Sequence, residues 1–126
     1  MSDLPEKTDL PYVDGFILAV PTDKLDAYKD MARRAGDIWM EHGALSYVEC
    51  VGDDVPYGER TSFPRSVEAS DDETVIFAWI TYTSRQSRDE IMKKIFEDPR
   101  MQADMASMPF DGKRMIFGGF KSFMAL

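Results

Sequence analysis

Apolar residues recur along the chain with two different periods, and the switch between them marks out its elements. Tyr12-Val13-Asp14-Gly15-Phe16-Ile17-Leu18-Ala19-Val20 is rich in β-branched and aromatic residues and stops at Pro21, which predicts a first strand. Beyond it Leu25, Tyr28, Ala32, Ala35, Trp39 and His42 recur at steps of three and four. Met31 and Ile38 widen that stripe, while Lys29, Asp30, Arg33, Arg34 and Asp37 take the opposite side. This is the period of an amphipathic helix. Thr22 is placed to cap its start, Asp23 and Asp26 suit the positive end of its dipole, and Gly43 suits its C-terminal stop.

Residues 44–51 predict a second strand. The polar stretch 52–73, with Pro56, Gly58 and Pro64, predicts a long functional or mobile loop, of which 65–69 can form a short strand. Thr74-Val75-Ile76-Phe77-Ala78-Trp79-Ile80-Thr81-Tyr82 is the plainest strand in the chain. Ser87-Arg88-Asp89-Glu90 reads as a capping box opening a helix with Ile91, Ile95 and Phe96 on one face. Asp98-Pro99 ends it and can cap a short helix carrying Met101, Met105 and Met108. Asp111-Gly112 is a turn signal, and residues 114–123 predict a fourth strand. Residues 1–11, polar with two prolines, read as a flexible N-terminal arm, and 12–126 as one domain.

The order βαββαβ predicts an α+β, ferredoxin-like fold: an antiparallel sheet with both helices on one face. The outer face of such a sheet alternates to polar when it meets water. Here it does not. Val75, Phe77 and Trp79 oppose Ile76, Ala78 and Ile80 in the third strand. Phe16, Leu18 and Val20 oppose Ile17 and Ala19 in the first, and the fourth is apolar on both sides too. With helices for one face only, a second copy of the sheet is the simplest cover, which predicts a homodimer built as a dimeric α/β barrel. The other available cover is the 52–73 loop.

Charge narrows the partners. Among 126 residues, 15 basic stand against 23 acidic, a net charge of −8. That balance argues against nucleic acid and anionic membranes. Cys50 is the only cysteine, so no intrachain disulfide can form. The first residues lack the basic-then-apolar pattern of a signal peptide, and no apolar run approaches the ~20 residues of a membrane helix. A cytoplasmic location is the expectation.

Met108-Pro109-Phe110-Asp111-Gly112-Lys113-Arg114-Met115, followed by Gly118-Gly119-Phe120, resembles the closing motif of the YbaA-like family, a bacterial family of unknown function. Tyr12-Val13-Asp14-Gly15-Phe16, Gly52-Asp53-Asp54-Val55-Pro56, Ser62-Phe63-Pro64-Arg65 and Glu97-Asp98-Pro99-Arg100 support the resemblance, which runs from Tyr12 onward. It implies the dimeric α/β barrel and supplies no catalytic residues. The wider barrel superfamily is similar to cofactor-free monooxygenases, muconolactone isomerases and haem-degrading enzymes, but fold does not fix function.

The residues that can carry chemistry are few. His42, the only histidine, is either a general acid/base at one end of a cleft or a helix-terminal spacer. Asp14, an acid inside an apolar strand, must be paired or have a raised pKa, unless it sits at a wet strand end. His42 and Asp14 are therefore the candidate catalytic residues. Arg65 and Arg114 are candidate partners of Asp14 or of an anionic ligand. Trp39 and Trp79, with Tyr28, Tyr47 and Tyr82, line a pocket for a flat ligand or simply fill the core. Cys50 reads as an inert thiol. Gly118-Gly119 inside a strand suggests a bulge or a close approach of a helix, a partner backbone or a ligand. No phosphate-binding loop, zinc spacing or Ser/His/Asp signature is present, so no metal and no cofactor are expected.

Two functions of different class follow. The first is a metal-free small-molecule enzyme or ligand-binding protein. Its pocket would lie between helices and sheet, near His42, with the 52–73 loop as lid. The alanines at 32 and 35 would leave it room. The second is a structural or regulatory interaction dimer with no ligand. RNA binding, suggested by the shared βαββαβ order, is opposed by the charge and by a third strand without the basic-Gly-aromatic signature. Haem binding through His42 is a further alternative that an absorbance scan would test.

Overall fold

The computed structural model describes residues 10–126. Most of the expected N-terminal arm, 1–11, therefore lies outside the described residues. The strands are β1 (Tyr12–Pro21), β2 (Ser46–Val51), β3 (Glu73–Tyr82) and β4 (Ile116–Lys121). They form one antiparallel sheet in the order β2-β3-β1-β4. The helices are α1 (Leu25–Glu41), α2 (Phe63–Ser66), α3 (Arg85–Glu97) and α4 (Pro99–Met105). This is the ferredoxin-like α+β arrangement that the order of periods predicts.

Register decides which side chains meet the helices. Leu18 pairs with Ile76, Phe16 with Ala78, Asp14 with Ile80 and Tyr12 with Tyr82. These even-numbered positions share one face by strand alternation. Two buried clusters grow from it, one joining Ile80 and Tyr82 to Ala35, Trp39, Ile91 and Met101, the other joining Leu18, Val20 and Ile76 to Tyr28 and Ala32.

Several local expectations are corrected. Thr22 does not cap α1: residues 22–24 form a single 3-10 turn, and the Thr22 hydroxyl pairs with that of Thr74 at 2.9 Å. The capping box at Ser87 lies inside α3, because Ser84 stands three residues earlier in extended conformation and accepts the Ser87 N–H at 3.0 Å. The stretch 65–69 holds no strand. Ser62 accepts the Arg65 N–H at 3.1 Å and Pro64 occupies the first turn, so the backbone closes into α2 instead. Phe96, Met105 and Met108 are exposed, whereas Met101 is buried.

The 52–73 loop folds onto the outer face at one end of the sheet. Its Val67 is buried, the Gly52 N–H bonds the Val75 carbonyl at 2.8 Å, and Phe63 meets the Phe77 ring edge-on at 5.7 Å. Loop cover thus accounts for part of this face. The rest stays open as an apolar concavity of about 600 Å³ bounded by Val13, Ile17, Phe77, Trp79, Ile116 and Phe120.

Arg114 fastens the start of β4 to the start of β3. It bonds Glu73 at 2.6 Å, Asp111 at 3.1 Å and the Glu68 carbonyl at 2.7 Å. The guanidinium holds the Glu73 carboxyl at about 2, against an ordinary 4.5. A carboxylate depressed on folding stabilises the native state above its unfolded pKa, and the benefit goes as pH falls through its folded pKa. Stability should therefore decline between pH 4.5 and about 2, and a Glu73→Gln variant should decline less steeply there. Denaturant titrations at several acidic pH values would measure both slopes.

Candidate ligand site

The face of α1 turned to the sheet is built of small residues in its middle, Ala32, Ala35 and Gly36, all buried. Between them and the sheet lies a hollow of about 160 Å³, whose walls include Phe16, Leu18, Ala35, Trp39, Met101 and Phe110. A groove of about 490 Å³ runs along the outer edge between α1 and β2, rimmed by Lys29, Arg33, Asp37 and Met40. Hollow and groove share three residues, Tyr28, Tyr47 and Glu49.

These three form the polar centre. Glu49 sits in the middle of β2 opposite Ala78, so the pleat turns its carboxylate to the helix side. Tyr28, from α1, donates to Oε1, and Tyr47, from β2, donates to Oε2 at 2.9 Å. Burial, followed by the negative charge of Glu49, pushes both phenols far above their ordinary range, so both stay neutral donors. The Tyr47 ring lies where a side chain on residue 36 would stand: an added Cβ would come within 2.8 Å of its Cδ1. That close approach explains a glycine inside α1, where it costs about 0.5–1 kcal/mol relative to alanine.

Glu49 was legible in principle. It is an acid inside the apolar run Tyr47-Val48-Glu49-Cys50-Val51, the same signal that singles out Asp14. Strand alternation alone does not say which face the helices will cover.

The expected candidates divide. Trp39 lines the hollow, tilted against Tyr82 at 6.2 Å. Trp79 packs against Phe77 at 5.7 Å and borders both the outer concavity and the hollow. Asp14 is buried and paired, as an acid there must be, but its partner is Arg88 rather than Arg65 or Arg114. Arg88 Nε and Nη2 reach the carboxylate at 3.0–3.1 Å, and the Tyr82 hydroxyl adds a bond at 2.8 Å. So fully engaged, Asp14 is a fastener between β1, β3 and α3. Gly119, its register partner in β4, leaves the space through which Arg88 passes: a Cβ there would collide with Arg88 Nη2 and the Tyr12 hydroxyl.

His42 lies just past the end of α1 and outside the hollow's walls. Its Nε2 pairs with Asp98 at 3.0 Å, and Asp98 also caps α4 by accepting the Arg100 N–H at 2.9 Å. The Arg100 guanidinium, then His42, hold the Asp98 carboxyl well below its ordinary range. Arg65 lies over the Tyr57 ring at 3.7 Å and bonds the Tyr57 and Gly58 carbonyls, which shapes the loop. Arg114 is engaged by Glu73 and Asp111. The pocket between α1 and the sheet is present, but the 52–73 loop lies on the opposite face and does not close it. Cys50 is half-buried in β2. Among the described residues, no group of three or more His, Cys, Asp or Glu is gathered as a metal site needs, and no helix is long and apolar enough to cross a membrane.

Two solved structures share this architecture. A NIPSNAP family protein from Agrobacterium tumefaciens superposes with a TM-score of 0.61 at 21% identity, covering 96% of this chain and 95% of its own. A putative antibiotic biosynthesis monooxygenase from Nitrosomonas europaea gives 0.58 at 12% identity, over 94% and 96%. At such identities the likeness is one of fold. Sequence relatives are nearer. Uncharacterized protein YbaA of Escherichia coli K12 is 52% identical over 113 residues, 90% of this chain and 97% of the relative, and a YbaA of Shigella flexneri matches equally well. Residues 11–112 match the model of DUF1428, a protein family of unknown function. The chain therefore belongs to the YbaA-like DUF1428 family.

Proposed function

We propose that this protein is a cytoplasmic homodimer that takes up a small organic ligand in the hollow between α1 and the sheet. The observation that carries the reading is the hollow itself, apolar on most sides and given one polar focus by Glu49, Tyr28 and Tyr47. Apolar walls with a few convergent polar groups are the usual make-up of a small-molecule site. A carboxylate held between two neutral phenols can orient a ligand, or accept a proton from one, without a metal. His42 and Asp14 take no part in this reading, since His42 is hydrogen-bonded to Asp98 and Asp14 is committed to its ion pair with Arg88.

The dimer follows from the other face. Phe77, Ile116 and Phe120 remain exposed around the outer concavity, and Phe123, Met124 and Leu126 beyond β4 are exposed as well. An apolar surface of that extent is best covered by a second copy of the sheet.

Thermal unfolding in the presence of indole tests the ligand reading. The wild-type midpoint should rise with indole concentration, because a ligand that binds only the folded state stabilises it by mass action. An Ala35→Leu variant, whose longer side chain enters the hollow, should respond less. A flat wild-type response to indole and to other single-ring and two-ring aromatics would favour the ligand-free interaction dimer.

A further inference from the structure

We infer that the hollow selects a neutral aromatic hydrogen-bond donor, a phenol-class ring whose hydroxyl is taken by the Glu49 carboxylate. The inference rests on the reading of the hollow as a ligand site and adds the class of molecule it takes. Size comes first. A hollow of about 160 Å³ is close to the ~150 Å³ apolar cavity known to admit benzene in another protein, so a single ring fits. The adjoining groove leaves room for a substituent toward solvent. Wall chemistry comes second. Phe16, Trp39, Phe110, Met101 and Met115 present rings and thioethers, which favour an aromatic face.

The polar groups then decide the ligand's own polarity. An ionised carboxylate offers about four lone-pair positions, and the two tyrosines occupy two of them. Each tyrosine has only one hydroxyl proton, already given to Glu49, so what the cluster still offers is acceptor capacity. A ligand hydroxyl satisfies it. A ligand carboxylate meets the Glu49 charge instead, and two carboxylates sharing one site repel each other. The cations that could offset that charge, Lys29 and Arg33, border the outer groove and not the hollow.

Calorimetric titration of the wild-type protein near pH 7 with benzene, phenol and benzoate separates the possibilities. Phenol should bind about tenfold more tightly than benzene, the usual yield of one bond to a charged acceptor, and benzoate should not bind. In a Glu49→Gln variant benzene affinity should persist while the advantage of phenol falls severalfold. Equal wild-type affinity for phenol and benzene, or benzoate bound more tightly than phenol, would overturn the donor class while leaving the hollow as an apolar ligand site. Failure of all three to bind would overturn both. The wild-type comparison stands whether or not the variant folds.

Discussion

Replacing Arg88 by alanine is expected to destabilise the protein by about 3–5 kcal/mol, the usual cost of removing one member of a buried ion pair. The size follows from where its partner sits. Asp14 is 4% exposed, on the helix-covered face of β1, and Arg88 supplies three of the four hydrogen bonds made to its carboxylate. Without the guanidinium, a negative charge would remain under α3 with only the Tyr82 hydroxyl. A second substitution, Asp14→Asn in the same chain, removes that charge and should recover part of the loss. Gly119→Ala should act in the same direction more weakly, by about 1–3 kcal/mol, because its methyl group displaces the arginine from its path. Urea denaturation of the four proteins would read these values. An Arg88→Ala loss below about 1 kcal/mol would show that the pair is not desolvated as its burial indicates.

Phe77→Asp is the second large effect. The side chain lies in the middle of β3 on the outer face, at the margin of the open concavity, and 41% of it is exposed in the single chain. If a second sheet covers that face, the substitution buries an unpaired carboxylate at the interface. The wild-type protein should then scatter as twice 14.4 kDa at micromolar concentration, and the variant as 14.4 kDa. Ile76 is the contrasting position. It is 1% exposed under α1, so a charge there should unfold the protomer rather than separate two of them. A folded wild-type monomer by light scattering would remove the sheet-to-sheet cover.

Much of the fold could be read from the periods, because long strands and the 17-residue α1 repeat their pattern many times over. The errors fall where the signal is short. Ser87 opens a capping-box pattern with Glu90, and nothing in that pattern shows that Ser84, three residues earlier, is the serine the preceding strand leaves in extended conformation. Phe63-Pro64-Arg65-Ser66 is too brief for a period, and its helix is set by the Ser62 cap. The candidate site was harder for a different reason. Asp14 announced a partner, but Arg88 lies 74 positions away and nothing local distinguishes it from Arg65 or Arg114. Of the glycine pair, Gly119 does mark a close approach, by the Tyr12 hydroxyl and that same arginine, whereas Gly118 makes only ordinary contacts with Phe120. The alanines of α1 correctly marked a space. Glu49 could have been found by the argument used for Asp14. Its two tyrosines converge only once β2 lies alongside α1, and His42, at the end of the α1 stripe, meets Asp98, 56 positions away, only in the folded chain.

Entry of a small ligand between α1 and the sheet can be followed by amide chemical-shift mapping during a titration with phenol. Saturable shifts should concentrate on α1 from Tyr28 to Trp39 and on β2 around Tyr47 and Glu49, with Phe110 included. Saturable shifts confined to the outer face, around Phe77, Ile116 and Phe120, or none at all, would contradict it.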